Sequence, residues 1–328
     1  MRRRVFLHSC FGAVAGLRAD LFSPKSYPEH IPVKPGKERK ALARVIGTAQ
    51  DGGIPHIGCF CPTCQRAWEN PRFSRFISSL ALFDFIENKT ILVDATPDIR
   101  AQTRMIREHM EPKKRGDRYW PDGILLTHAH IGHYTGLMFF GYEALSTDRV
   151  PVYCSERMND FLTLNGPWSQ LVSQRNILLH TIRPEERFSI TSQISIVPFQ
   201  VPHRDEYSDT LGYRIIGPNR SLLYIPDIHN WKRWERSVSE MIEQVDTALL
   251  DGTFFSPKEL PNRDLTSIGH PFILDTMELL KDIAAGKTRI FFTHLNHSNP
   301  ALDPRGEARK IIEKNAFALA EDGMEFPL

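Results

Sequence analysis

The sequence predicts a layered α/β protein in which helices cover the faces of a β-sheet scaffold. Three observations predict it. Nine short apolar or β-branched runs, bounded by Gly, Pro, Asn or Asp, recur from residue 44 onward. Helical periodicity lies between several of them. Histidines and aspartates gather at the C-terminal ends of those runs, where loops can converge on one point while a sheet holds them rigid.

The chain begins differently. "MRRRVFLHSCFGAVAGL" places Arg2, Arg3 and Arg4 before an apolar stretch too short to span a bilayer. Arg3-Arg4-Val5-Phe6-Leu7 resembles the twin-arginine export signal, so residues 1–19 are expected to be a signal segment and the protein periplasmic. A frayed basic tail on a cytoplasmic protein is the alternative. The candidate cleavage site near Ala19 is poor. Residues 20–43, rich in Pro and Lys and without apolar period, read as a linker or arm.

Residues 44–328 then read as one domain. Its strand runs are "ARVIGTA", "TILVDAT", "GILLTHA", "VPVYCS", "ISIVPFQVP", "YRIIG", "SLLYIPD", "TALLDGTFF" and "TRIFFTHL". Helices are expected over "DIRAQTRMIREHM", "TGLMFFGYEAL", "SVSEMIEQV", "FILDTMELLKDIAAG" and "EARKIIEKNAFALA". The chain is 41% hydrophobic and 24% charged, which fits a folded core. Its 41 basic and 39 acidic residues leave a net charge of +2, so nucleic acid is not favoured as a partner. A small-molecule substrate and a second copy of the chain in a homodimer are the partners expected.

The chemistry concentrates in "LLTHAHIGHYTGL". His128, His130 and His133 fall within six residues just after a strand run, and imidazole is the commonest protein ligand for zinc and related metals. Further strand ends deliver His203, Asp227 and His294. A carboxylate at Asp227 can bridge two cations, which a neutral imidazole does less well. Singly, His203 or His294 reads as a hydrogen-bonded structural histidine. Together with the triple-histidine run, they read as ligands.

This arrangement resembles the metallo-β-lactamase superfamily, whose motif is His-x-His-x-Asp-His followed by a later His, an Asp and a last His. The resemblance implies a four-layer αββα sandwich. It implies one metal on His128, His130, His203 and Asp227, and a second on His133, Asp227 and His294. The family's aspartate falls on Gly132, so one second-site ligand is missing, and weaker occupancy or a single metal is expected. Asp205 is a nearby carboxylate that could compensate.

Cys59, Cys61 and Cys64 in "GCFCPTC" can hold a tetrahedral zinc with one further ligand. One disulfide plus a free thiol is the other reading. Cys10 lies in the signal, and Cys154 reads as a buried core residue. "GTAQDGGIPHIGCFCPTC" with "FFTHLNH" resembles the branch of cyclic-phosphate phosphodiesterases of phosphonate breakdown. That resemblance closes the zinc site with a His three residues after the last active-site His, which is His297. His56 is the local competitor. "LVDATPDIRAQ", "LLDGTFF", "SIGHPF", "THLNHSNPALD" and "AEDGMEFPL" resemble the pyrroloquinoline quinone biosynthesis protein B family instead, from about residue 44 to 328.

The resemblance implies a metallohydrolase that cleaves a phosphodiester or other ester. One or two divalent ions (Zn, Mn or Fe) would lower the pKa of a bound water to about 7, and one structural zinc would sit beside them. Asp227 would anchor the metal. His270 in "SIGHPF" is the candidate general acid for the leaving group, with a capping or supporting role as the other reading. His229 reads as a pocket wall, and Asp94 and Asp98 as braces of the turn beside the site. The quinone-biosynthesis resemblance implies instead an iron-dependent oxygenase. A non-catalytic metal-binding protein is the third class.

Overall fold

The structure, a computed structural model, describes residues 40–109, 118–261, 263–265 and 268–328. The expected export segment and most of the arm lie outside these residues. The first strand begins at Ala41, inside the stretch read as an arm, because Leu42 already pairs with Pro327 and Ala41 with Asp84.

Fourteen strands form two seven-stranded sheets among the described residues. The first contains β1 (Ala41–Gly47), β2 (Ser79–Asp84), β3 (Lys89–Val93), β4 (Gly123–Leu125), β5 (Val150–Cys154), β6 (Ile177–Thr181) and β14 (Glu325–Pro327), in the order β14-β1-β2-β3-β4-β5-β6. The second contains β7 (Phe188–Ser189), β8 (Ser195–Gln200), β9 (Leu211–Ile216), β10 (Ser221–Ile225), β11 (Thr247–Asp251), β12 (Arg289–Thr293) and β13 (Phe317–Leu319), in the order β13-β12-β11-β10-β9-β8-β7.

The period of two along each strand builds the layers. In β1, Ala41, Ala43 and Val45 point into a cluster shared with Leu222 and Tyr224 of β10, between the sheets. Leu42 and Ile46 point the other way, onto α2 (Ile99–Met105), α4 (Glu156–Leu164) and α5 (Trp168–Ser173). In β10, Leu223 and Ile225 face α6 (Val238–Glu243), α7 (Ile273–Leu280) and α8 (Glu307–Lys314). The result is helix, sheet, sheet, helix. Both faces of these strands are dry, so a polar replacement on either face forfeits about 2 kcal/mol of burial per Leu-sized side chain.

Three helix expectations change. The helix expected over 135–145 is a four-residue turn, α3 (Ile131–Tyr134), followed by 3₁₀ turns over Thr135–Phe140. Gly136 lies against the end of β3, where a Cβ would stand 2.1 Å from the Thr96 carbonyl oxygen. The helix expected through residue 286 ends at Leu280. The helix expected over 307–320 ends at Lys314, and Ala316 turns the chain with φ of +63°. Phe317–Leu319 then pairs in parallel with β12 and buries Phe317 and Leu319. Sheet pairing here outweighs local helix propensity. No helix among the described residues is long and apolar enough to cross a membrane.

Candidate metal centres

The ends of β4, β8, β10 and β12 deliver their side chains to one point. His128 Nε2 lies 3.4 Å from Asp227 Oδ2, and His203 Nε2 lies 3.2 Å from both Asp227 Oδ1 and His130 Nδ1. His133 Nε2 and His294 Nε2 stand 3.9 and 3.8 Å from the same Asp227 Oδ2. Three overlapping donor groups result. Asp227, Asp251, His270 and His294 form one towards the rim; of the other two, one is His128, His130, His203 and Asp227, and beside it lies a group of Asp51, His133 and His294. Asp227 lies between them, so its carboxylate is placed to serve both.

The supporting contacts fix which ring nitrogen faces inward. Thr127 donates its hydroxyl to Asp94, so it accepts from His128 Nδ1 at 3.0 Å. His133 Nδ1 donates to Asp94 Oδ2 at 2.7 Å. Thr253 donates to Asp251 Oδ1 and accepts from His294 Nδ1 at 2.9 Å. Each Nδ1 therefore carries the proton, and each Nε2 presents its lone pair to the centre. Asp94 and His294 adopt φ of +69° and +59° at the ends of their strands, an uncommon conformation for residues with a Cβ.

Five inward atoms are buried with no hydrogen-bond partner: Nε2 of His128, His133 and His294, and Oδ1 of Asp51 and Asp227. An unsatisfied buried polar atom costs about 1–3 kcal/mol, so five together would cost about 5–15 kcal/mol. That equals the whole stability of an ordinary domain. Divalent cations remove the cost, and the donor set of imidazoles and carboxylates fits them.

The electrostatics agree. Burial, helped by His133, holds His128 well below the usual imidazole range, and burial brings His294 down to about 4. Both are neutral, as ligands must be. Burial also acts to lower His133, but Asp94, with Asp51 and Asp227, outweighs it and raises the group to about 9. That ring prefers positive charge at Nε2, which a metal supplies as well as a proton does. Burial would raise Asp227, yet His203, His270 and His294 hold it well below the usual carboxylate range.

His270 stands at the rim, its Nδ1 2.9 Å from Asp251 Oδ2 and 3.1 Å from Asp227 Oδ1. Burial pushes it down, but those two carboxylates raise it to about 10. His229 is a partly exposed wall residue. Burial, then Arg233, His203, His270 and Arg204, lower it.

A separate centre lies at the loop after β1. His297 Nδ1 is 3.5, 3.5 and 3.6 Å from the Sγ atoms of Cys59, Cys61 and Cys64. A zinc with bonds of about 2.3 Å to sulfur and 2.0–2.1 Å to nitrogen has tetrahedral edges of about 3.6 Å. The three thiols are free rather than disulfide-bonded. His56 is not a fourth ligand. Its ring packs on His297 at 4.5 Å, its Nδ1 meets the Ile57 carbonyl, and its backbone N–H donates to Cys64 Sγ. Cys154 is buried, as expected.

A family model described as "Beta-lactamase superfamily domain" matches residues 89–295. The chain belongs to the beta-lactamase superfamily. Within it, coenzyme PQQ synthesis protein B of Methylobacterium nodulans is 26% identical over 314 residues, covering 87% of this chain and 99% of the relative. The crystal structure of Zn(2+)-bound PqqB from Methylobacterium extorquens superposes with a TM-score of 0.75 at 23% identity, covering 88% of this chain and all of that one. A diphosphatase from the PhnP family superposes with a TM-score of 0.63 at 23% identity, covering 87% and 96%. The four-layer sandwich is thus the superfamily's fold.

The superfamily frame also locates what sequence reasoning missed. Beside Gly132, where the expected carboxylate is missing, the geometry places a carboxylate from another segment. Asp51 Oδ1 stands 3.7 Å from His133 Nε2, in the space a Gly132 side chain would fill. Asp205 does not compensate, because it accepts from Thr210 and lies outside both groups. Asp251 was also missed, although "LLDGT" repeats the pattern of "LVDAT" at a strand end. Asp98 braces a turn, accepting from the Ile77 backbone N–H at 2.9 Å. Asp94 does more than brace, since it orients His133 and Thr127.

Proposed function

We propose that the chain is a metal-dependent hydrolase that cleaves a phosphodiester, with a separate structural zinc on Cys59, Cys61, Cys64 and His297. The observation that carries this reading is the ring of unpartnered buried donors around Asp227, with His270 pinned beside it. His128, His130, His203 and Asp227 would hold one divalent ion, and His133, His294 and Asp227 a second. Such ions supply an acidified water and polarise the phosphoryl oxygen.

The chain's own residues do the rest. His270 is tethered through Nδ1, which leaves Nε2 as the nitrogen that delivers a proton to the departing alkoxide. Asp251 keeps that ring protonated and oriented. Arg204 and His229 flank Gly269, both within 3.7 Å of where its Cβ would stand, and Arg233 adds positive charge beside His229. This basic rim favours an anionic substrate.

The test is hydrolysis of bis(p-nitrophenyl) phosphate by zinc- or manganese-loaded protein, wild type beside Asp227→Asn. Turnover lost in the variant supports the reading. Turnover of carboxylic esters alone, with no phosphodiester cleaved, overturns the substrate class.

A second reading, a step in coenzyme PQQ synthesis, is favoured by the end-to-end likeness to the relatives that carry that name. It predicts iron in the histidine site after anaerobic purification and oxygen uptake with substrate. Zinc alone, with no oxygen uptake, counts against it.

A further inference from the structure

We propose that Asp51 is a ligand of the second metal and supplies there the carboxylate that Gly132 lacks. The proposal rests on the reading above that the buried imidazoles hold metal.

Three observations carry it. First, Asp51 Oδ1 and His133 Nε2 are both buried and unpartnered, yet 3.7 Å apart. That is too long for a hydrogen bond and suits two ligands of one cation. Second, a Cβ at Gly132 would lie 2.0 Å from Asp51 Oδ1 and 2.9 Å from Asp51 Cα. Gly132 sits in α3 with ordinary helical backbone, so its lack of a side chain answers to space and not to conformation. One carboxylate fits at this point. The backbone of residue 51, 2.9 Å from that Cβ position, keeps residue 132 a glycine, so the carboxylate comes from position 51.

Third, the loop carrying Asp51 is fastened to the strand end that carries His294. The Gln50 N–H donates to the Leu295 carbonyl at 2.9 Å, and Leu295 N–H returns to Thr48 at 2.7 Å. Asn296 donates its side-chain amide to Gln50, and Gly53 closes a turn on the Gln50 carbonyl at 2.8 Å. Asp51 and His294 are thereby positioned as a unit. A freely moving surface aspartate would show none of this.

The experiment is metal content by elemental mass spectrometry, with zinc affinity by competition, on wild type, Asp51→Gly, Gly132→Asp and the isosteric control Asp51→Asn, with circular dichroism as the folding check. About three metals per chain are expected in wild type. Asp51→Gly and Asp51→Asn should retain about two and bind the lost one at least 10-fold more weakly, since even supporting contacts around a metal are worth 10–100-fold. Gly132→Asp alone should lower thermal stability through crowding.

Full metal content and affinity in both Asp51 variants would overturn the proposal. Wild type holding metal only at the cysteines would instead overturn the metal reading on which the proposal rests.

Discussion

His270 donates from Nδ1 to Asp251 Oδ2 at 2.9 Å, and the other oxygen of Asp251 receives Thr253, the residue that orients His294. One buried carboxylate thus holds both the His294 arm and the ring proposed as the proton donor beside it. Ile228 and Thr253 backbone N–H groups fix that carboxylate in turn.

His270→Gln is accordingly expected to lower kcat by about 10²–10⁴-fold, with metal content unchanged. The loss should shrink on substrates with an activated aryl leaving group, which departs without a proton. Steady-state kinetics on an alkyl and a p-nitrophenyl phosphodiester check this. Equal losses on both would assign His270 to binding.

Asp94→Asn should weaken second-site metal affinity by about 10–100-fold. The 2.7 Å bond from His133 to Asp94 sets that ring's tautomer, and an amide in its place can offer a donor where an acceptor is required. Competition with a chromogenic chelator measures the change.

Cys59→Ser and His297→Ala should each lose one zinc per chain, and the melting temperature should fall by more than about 5 °C. Metal bound only by the folded state is folding free energy, and each kcal/mol moves a domain of this size by about 2–4 °C. Elemental analysis with calorimetry tests both halves. Unchanged zinc content would remove the thiol site.

A fourth expectation concerns acid stability. Burial would raise the Glu321 carboxyl, but Arg75 and Arg309 outweigh it and lower it. Both guanidinium groups lie 2.6 Å away. A lowered carboxyl stabilises the fold above its ordinary value and loses that contribution as pH falls through its lowered one. The side chain is 41% exposed, so solvent screening limits the pair to about 1 kcal/mol. Glu321→Gln should therefore be less stable than wild type at pH 7, and the difference should close on acidification. Urea unfolding at pH 7 and pH 3 reads it.

These residues also show what the sequence made visible. His128, His130 and His133 stand out because short-range spacing on one strand–turn unit places them together. His203, Asp227 and His294 follow because each ends an apolar run. His297 is legible only through the offset from His294 that the phosphodiesterase resemblance provides. Asp51 was invisible, since its partner lies 81 positions away and the one trace it leaves is the glycine at position 132. β13 was hidden inside a helical pattern because pairing with β12 is a long-range effect. "AEDGMEFPL" proves structural: Glu321 meets two arginines, and Asp322 accepts from Thr48 and the Phe76 backbone.

The spacing of His294 and His297 has one more consequence. A single turn carries the histidine of the thiol cluster and one of the histidines around Asp227, and the same turn holds the loop of Asp51. Cys59 and Cys61 are only partly covered, whereas His294 is fully enclosed. An oxidant or chelator arriving from solvent therefore meets the sulfur end first. If both centres hold metal, a timed exposure to peroxide should release the thiol zinc before the buried ions, and release of the buried ions first would show the two ends to be independent.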